Sequence, residues 1–192
     1  MSIAAAFTDV RYERFDDAEY AGRWSAVEAL LADARADALV VFGNQNSRAD
    51  IQYLAAWGPR QDSYLVAGGT RPPALRVQLF NHVPTARLMA VVDDVEWAGS
   101  DSVATVVADL RSRGPLRRVA LLGPIPWQAH AKLAAALDEI ELVDLGPAFK
   151  RHRLVKSAAE IAWMRRGAEL SDAGLAALVA EARPGLREDE LG

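Results

Sequence analysis

The chain has 192 residues, 51% of them apolar and 25% charged, which suits one domain with an appendage or two small domains and leaves ample material for a core. A net charge of −4 and a pI near 5.4 argue against nucleic acid as the main partner, because a phosphate-binding surface needs a basic excess. Cysteine is absent, which excludes disulfides, thiolate nucleophiles and Cys-ligated zinc.

Two groups of arginines, Arg71, Arg76 and Arg87, and Arg111, Arg113, Arg117 and Arg118, read as solvated helix ends and strand edges. Residues 1–7 are apolar without a basic flank and do not read as a signal peptide. No apolar run approaches the ~20 residues that cross a bilayer. The expectation is a cytoplasmic protein with no membrane and no nucleic-acid partner.

Asp16, with Glu19 three residues on, reads as a helix cap. Trp24, Val27, Leu30, Leu31 and Ala34 then recur at helical spacing. Residues 38–42 are a continuous apolar run ending at Gly43, the pattern of a strand covered on both faces. A polar turn at 44–47 leads to a second helix with Ile51, Leu54 and Ala55 on one face. Residues 63–67 and 75–80 read as a hairpin, the second strand alternating as if half exposed. Pro84 favours a short helix within 83–92, and Met89-Ala90-Val91-Val92 reads equally as a strand.

Val103, Val106, Val107 and Leu110 mark another helix, stopped at Gly114-Pro115. A strand at 118–122, a helix from Trp127 to Leu137 and a strand at 140–145 form a crossover unit, which implies a parallel pair. Gly146-Pro147 reads as a domain boundary, followed by a basic linker over 147–156. Ser157 and Glu160 form a capping box for a long helix with Ile161, Met164, Ala168, Leu175, Leu178 and Ala182 on one face. Pro184-Gly185 ends it. Glu188-Asp189-Glu190 then resembles a further helix start, so the sequence reads as a polypeptide cut short.

Chemistry is hard to find. His82, His130 and His152 stand far apart in sequence, none in a metal-binding pair, and each reads as satisfied or solvent-facing. Neither a nucleophile elbow nor a phosphate loop nor a dinucleotide fingerprint is present. The acidic pairs Asp16-Asp17, Asp93-Asp94 and Glu188-Asp189 read as solvated or helix-starting carboxylates. The five tryptophans, Trp24, Trp57, Trp97, Trp127 and Trp163, read mostly as core. Trp57 differs, because a polar loop with Arg60 and Asp62 follows it, and an aromatic beside such a loop suits a ligand pocket.

The stretch Arg153-Leu154-Val155-Lys156-Ser157-Ala158-Ala159-Glu160-Ile161 is similar to the junction between the two domains of the creatinase, prolidase and aminopeptidase P family. Met164-Arg165-Arg166, Asp172 and Arg183-Pro184-Gly185 extend that resemblance, although Arg187 stands where Ser or Thr is common. Tyr20, Arg23, Trp24 and Asp94-Val95-Glu96-Trp97 also resemble the family. Tyr53-Leu54-Ala55-Ala56-Trp57 resembles its Tyr-Leu-(Thr/Ser)-Gly stretch without the usual glycine.

The resemblance implies an α/β fold: a three-layer α/β/α, ribonuclease-H-like N-terminal domain with a mixed sheet over residues 1–146, then a long helix opening a truncated pita-bread domain over 157–192. It implies a hydrolase of amide or other C–N bonds, acting on small peptides or amides, whose divalent metal pair would sit in a catalytic domain outside these residues. No catalytic, cofactor-binding or metal residue is carried over, and these residues alone are expected to be inactive. The expected role is dimerisation, as a homodimer, and shaping of the substrate entrance, with Trp57, Arg60 and Asp62 as candidates. The alternative is a free-standing interaction or regulatory domain derived from that family. An enzyme with an unrecognised site on the α/β scaffold is a third reading, and no converging histidine, cysteine or elbow serine favours it.

Overall fold

The computed structural model describes residues 13–190. The signal-peptide reading of residues 1–7 therefore lies outside the described residues. The chain forms two compact units, one ending at His152 and one beginning at Arg153.

In the first unit, α1 (Asp17–Ala34) begins where the Glu19 N–H donates to Asp16 Oδ1 at 2.8 Å, and it buries Tyr20, Arg23, Val27 and Leu31. It stops at Arg35, whose backbone is left-handed at φ 53°. β1 (Ala38–Gly43) is buried at all six positions, as a doubly covered strand must be. α2 (Ala49–Ala55) follows, then the antiparallel pair β2 (Ser63–Gly68) and β3 (Ala74–Val77). α3 (Val83–Met89) carries Pro84 in its first turn. β4 (Asp94–Trp97), α4 (Ser102–Arg111), β5 (Arg118–Leu122), α5 (Trp127–Ala136), β6 (Glu141–Asp144) and α6 (Gly146–His152) complete the unit.

The six strands make one mixed sheet in the order β4-β3-β2-β1-β5-β6. β1 pairs antiparallel with β2 and parallel with β5, and β5 pairs parallel with β6, as the crossover pattern requires. Side chains along β1 alternate between two cores. Leu39 and Val41 face Val27 and Leu31 of α1, Ile51 and Leu54 of α2, Val83 and Ala86 of α3, and Phe149 of α6. Ala38, Val40 and Phe42 face Val103, Val106 and Leu110 of α4, and Leu133 of α5. The result is three layers, helix, sheet and helix. β1 and β5 approach closely at Gly123, where φ is 89° and an added Cβ would overlap the Phe42 carbonyl oxygen.

Four expectations are corrected. β3 ends at Val77 and is fully buried, because β4 lies parallel beside it and makes it an interior strand; Phe80–His82 is a 3₁₀ turn. Residues 147–152, expected as linker, belong to α6. Asp144 Oδ1 caps the Gly146 N–H at 2.8 Å, and Lys150, Arg151 and His152 complement the last turn. Phe149 anchors that helix, fully buried with its ring edge-on to Tyr53 at 5.6 Å.

Arg76 and Arg113 are buried rather than solvated. The Arg76 guanidinium bridges two carboxylates: Nη1 donates to Asp94 Oδ1 at 2.6 Å, Nη2 to Asp94 Oδ2 at 3.0 Å, and Nε and Nη2 to Asp109 at 2.6 and 3.0 Å. Arg113 Nη1 donates to the carbonyls of Gly68, Arg71 and Pro72, which closes the β2–β3 turn. Finally, Trp57 is the one buried tryptophan among the described residues: Trp97 is 48% and Trp127 80% exposed.

In the second unit, α7 (Ala158–Glu181) opens with the expected capping box: the Glu160 N–H donates to Ser157 Oγ at 3.0 Å, and the Ser157 N–H to Glu160 Oε2 at 3.0 Å. The helix buries none of its side chains. Glu188–Glu190 forms a single 3₁₀ turn.

Candidate functional site

The end of β1 and the start of β2 meet in a polar network. Asn44 Oδ1 accepts from the Asn46 N–H at 3.0 Å, and Asn44 Nδ2 donates to Asp62 Oδ1 at 3.3 Å. The Asp62 carbonyl in turn accepts from the Gln78 N–H at 3.0 Å. Asp62 is thus engaged in holding two turns together.

Between those turns, α2 ends at Ala56 with φ 58°, ψ 0° and its N–H on the Gln52 carbonyl at 3.0 Å. This is the left-handed cap that glycine fills most readily, so the position where the resembled motif carries glycine has a backbone reason for it. The cap turns the chain so that Trp57 packs into the core beneath the loop. The Val91 N–H, just beyond α3, donates to the Ala55 carbonyl at 3.1 Å and draws α3 alongside α2.

Between the two helices lies a cleft of about 440 Å³ lined by Arg48, Gln52, Trp57, Gly58, Arg60, His82, Thr85 and Met89. A Cβ at Gly58 would make ordinary contacts with the Gln52 side chain at 3.5 Å and Arg48 Cδ at 3.7 Å. Of the three expected residues, Trp57 and Arg60 come together here, and Asp62 does not line the cleft. Arg48, Gln52, His82, Thr85 and Met89 were not foreseen. His82, read as isolated in sequence, is brought in by the 3₁₀ turn before α3. The Trp57 indole Nε1–H is buried and meets no acceptor among the described residues.

No Asp or Glu lines the cleft, and His82 and Thr85 supply its imidazole and its hydroxyl. Among the described residues no group of three or more His, Asp or Glu side chains could hold a metal ion. The residues present therefore do not fit the metal pair that the resemblance implies elsewhere. In a groove of about 670 Å³ between α4 and α5, Lys132 Nζ pairs with Asp101 Oδ2 at 3.2 Å. Tyr64 is pushed up to about 12 by burial, with Asp62 and Asp101 adding to the shift, so it stays neutral against Phe42. No helix of the described residues is long and apolar enough to cross a membrane.

The chain belongs to the creatinase/prolidase N-terminal domain family, whose pattern it matches over residues 23–155. It is similar to an uncharacterized hydrolase/peptidase of Sinorhizobium fredii, with 26% identity across 92% of this chain and 48% of that protein. Its fold is similar to the Xaa-Pro dipeptidase of Bacillus anthracis, at a TM-score of 0.69 and 16% identity over 90% of this chain and 46% of that one. It is also similar to the X-Pro aminopeptidase of Thermotoga maritima, at a TM-score of 0.72 and 18% identity over 87% and 46%. The chain spans about half the length of these relatives.

Proposed function

We propose that this domain serves a longer hydrolase of amide or other C–N bonds, in which it selects substrate at the entrance and takes no part in bond cleavage. The observation that carries this reading is the α2–α3 cleft. It is a concave site with an aromatic wall and convergent polar groups, yet no Asp or Glu lines it and no metal-ligand set is found among the described residues. The family match and the half-length coverage of peptidase relatives support placing the chemistry, with any divalent metal pair, in a separate catalytic part. Small peptides or amides are the proposed substrates, and a homodimer the proposed assembly.

The first test is the size of the native gene product. A band well above 20.8 kDa sends the longer protein to assay with divalent metal against Xaa-Pro dipeptides and creatine. There, Trp57→Ala and Arg60→Gln should raise KM and leave kcat largely unchanged, the signature of lost uniform binding. Unaltered kinetics in folded variants would sink the entrance role. A single band at 20.8 kDa would favour the second reading, a free-standing interaction domain; the uncovered apolar side chains of α7, Leu170, Leu175 and Val179 among them, would suit that role.

A further inference from the structure

β1, β5 and β6 run parallel side by side, so their carboxyl ends share one end of the sheet. The chain leaves them towards different faces. α2 after β1 and α6 after β6 pack into one core, through Ile51, Leu54 and Phe149. α5 after β5 packs into the other, through Leu133. Where neighbouring parallel strands send their helices to opposite faces, a crevice opens beyond the strand ends, and open α/β sheets take small ligands there. A cavity of about 520 Å³ lies at that place, between the end of β5 at Leu122 and Gly123 and the end of β6 at Asp144.

Two charges in this cavity lack a counter-ion. Lys150 makes no ion pair or hydrogen bond among the described residues, although Asp144 lines the same cavity. Asp144 uses only Oδ1, which accepts from the Gly146 N–H at 2.8 Å. Lys150 lies one helical turn on from Gly146, so both charges stand on one wall. Asp50 of α2 also lines the cavity and already has a partner of its own. A carboxylate and an ammonium that share a wall without meeting are complemented by a small molecule carrying both charges in reverse. Leu122, Pro124 and Pro147 supply apolar surface beside them.

We propose that this cavity binds a free amino acid with an apolar side chain. Its ammonium donates to Asp144 Oδ2, its carboxylate accepts from Lys150 Nζ, and its side chain lies against Leu122, Pro124 and Pro147. An α-amino acid holds both charges on one carbon, which suits two partners on one wall; a dipeptide holds them at opposite ends of a longer chain. No residue lines both this cavity and the α2–α3 cleft. The inference goes beyond the entrance role and does not rest on it.

The test uses the 192-residue chain labelled with ¹⁵N, with the backbone amides of Gly123, Gly146 and Lys150 as reporters. Leucine, N-acetylleucine, leucinamide and glycylleucine are titrated separately. Leucine should shift all three amides and saturate with a Kd of about 1 mM or tighter. N-acetylleucine lacks the ammonium and leucinamide the carboxylate, so each should bind at least about tenfold more weakly, one charge-assisted bond being lost. Glycylleucine should also bind more weakly than leucine. Asp144→Asn keeps the oxygen that caps Gly146 and removes the charge, and Lys150→Gln removes the ammonium. Each should weaken leucine at least about tenfold.

Both side chains are exposed, so both variants should fold. If one shows collapsed amide dispersion, the other variant and the blocked analogues on the unaltered chain still decide the matter. Equal binding of leucine and either blocked analogue, glycylleucine as tight as leucine, an unchanged leucine affinity in either folded variant, or no millimolar saturation by leucine would overturn the proposal.

Discussion

Replacing Arg76 by Met strips four charge-assisted hydrogen bonds from two carboxylates on different elements, Asp94 of β4 and Asp109 of α4. The Arg76 side chain is 5% exposed, against 28% for Asp94 and 12% for Asp109. Removing one partner of a buried ion pair costs about 3–5 kcal/mol, because the remaining charge is stranded. Water still reaches Asp94, so the lower end, about 3 kcal/mol, is the expected loss. With a urea m-value of about 2 kcal/mol/M, the midpoint should fall by about 1.5 M. The assay is urea unfolding followed by fluorescence in a Trp163→Phe background, so that α7 does not contribute.

A pH arm tests the same geometry. The hydrogen bonds from Arg76 hold the Asp94 carboxyl below its ordinary range, against the opposing effect of burial. The folded state therefore resists protonation at Asp94 more than the unfolded chain does. Its contribution is complete above the unfolded value of about 3.9 and disappears as pH falls through the lower folded value. Asp94→Asn should flatten that part of the acid limb, while Asp37, lowered by the backbone N–H groups of Arg117 and Arg118, titrates alike in both proteins. A loss below about 1 kcal/mol for Arg76→Met, with an unchanged acid limb in Asp94→Asn, would refute the argument that this cluster ties α4 to the sheet edge.

Three further outcomes follow from local geometry. Gly123→Ala should destabilise the first unit by at least about 2 kcal/mol in urea unfolding, because the added Cβ overlaps the Phe42 carbonyl and φ is 89°. Ala56→Gly should raise stability by roughly 0.5 kcal/mol, since relief of the left-handed backbone slightly exceeds the extra freedom glycine gives the unfolded chain; a loss above 1 kcal/mol would mean the methyl group matters more than the backbone. Ser157→Ala should cost α7 about 1 kcal/mol, seen by circular dichroism as reduced helix content with the urea midpoint of the first unit unchanged.

Much of the architecture was legible because the signals were local. The apolar run of β1, the caps at Asp16 and Ser157, and the glycine stops after β1 and β5 depend on residues within a few positions of each other. What escaped depends on distant partners. β4 is only four residues with two acids and a single buried side chain, Val95, so neither length nor alternation betrays it; it exists because β3 lies beside it. Arg76 is buried because carboxylates 18 and 33 residues away meet it, which no window of sequence contains. α6 hid behind its basic composition, with Phe149 as its lone buried anchor. In the cleft, Trp57 and Arg60 were visible from the aromatic next to a polar loop. Arg48 and His82 were not, because their convergence depends on the packing of α3 against α2.

The edge-on contact of Phe149 with Tyr53 also sets where the chain can be cut. A piece ending at the apparent boundary, Gly146, would remove a fully buried ring from the layer that also holds α1 and α2, leaving a hole beneath the helix that carries Arg48 and Gln52. Loss of a buried phenylalanine costs about 3–5 kcal/mol, comparable to the whole margin of a marginally stable domain. A version of this domain that keeps α6, which runs six residues past Gly146, retains that ring, and its cleft is backed by a helix that does not line it.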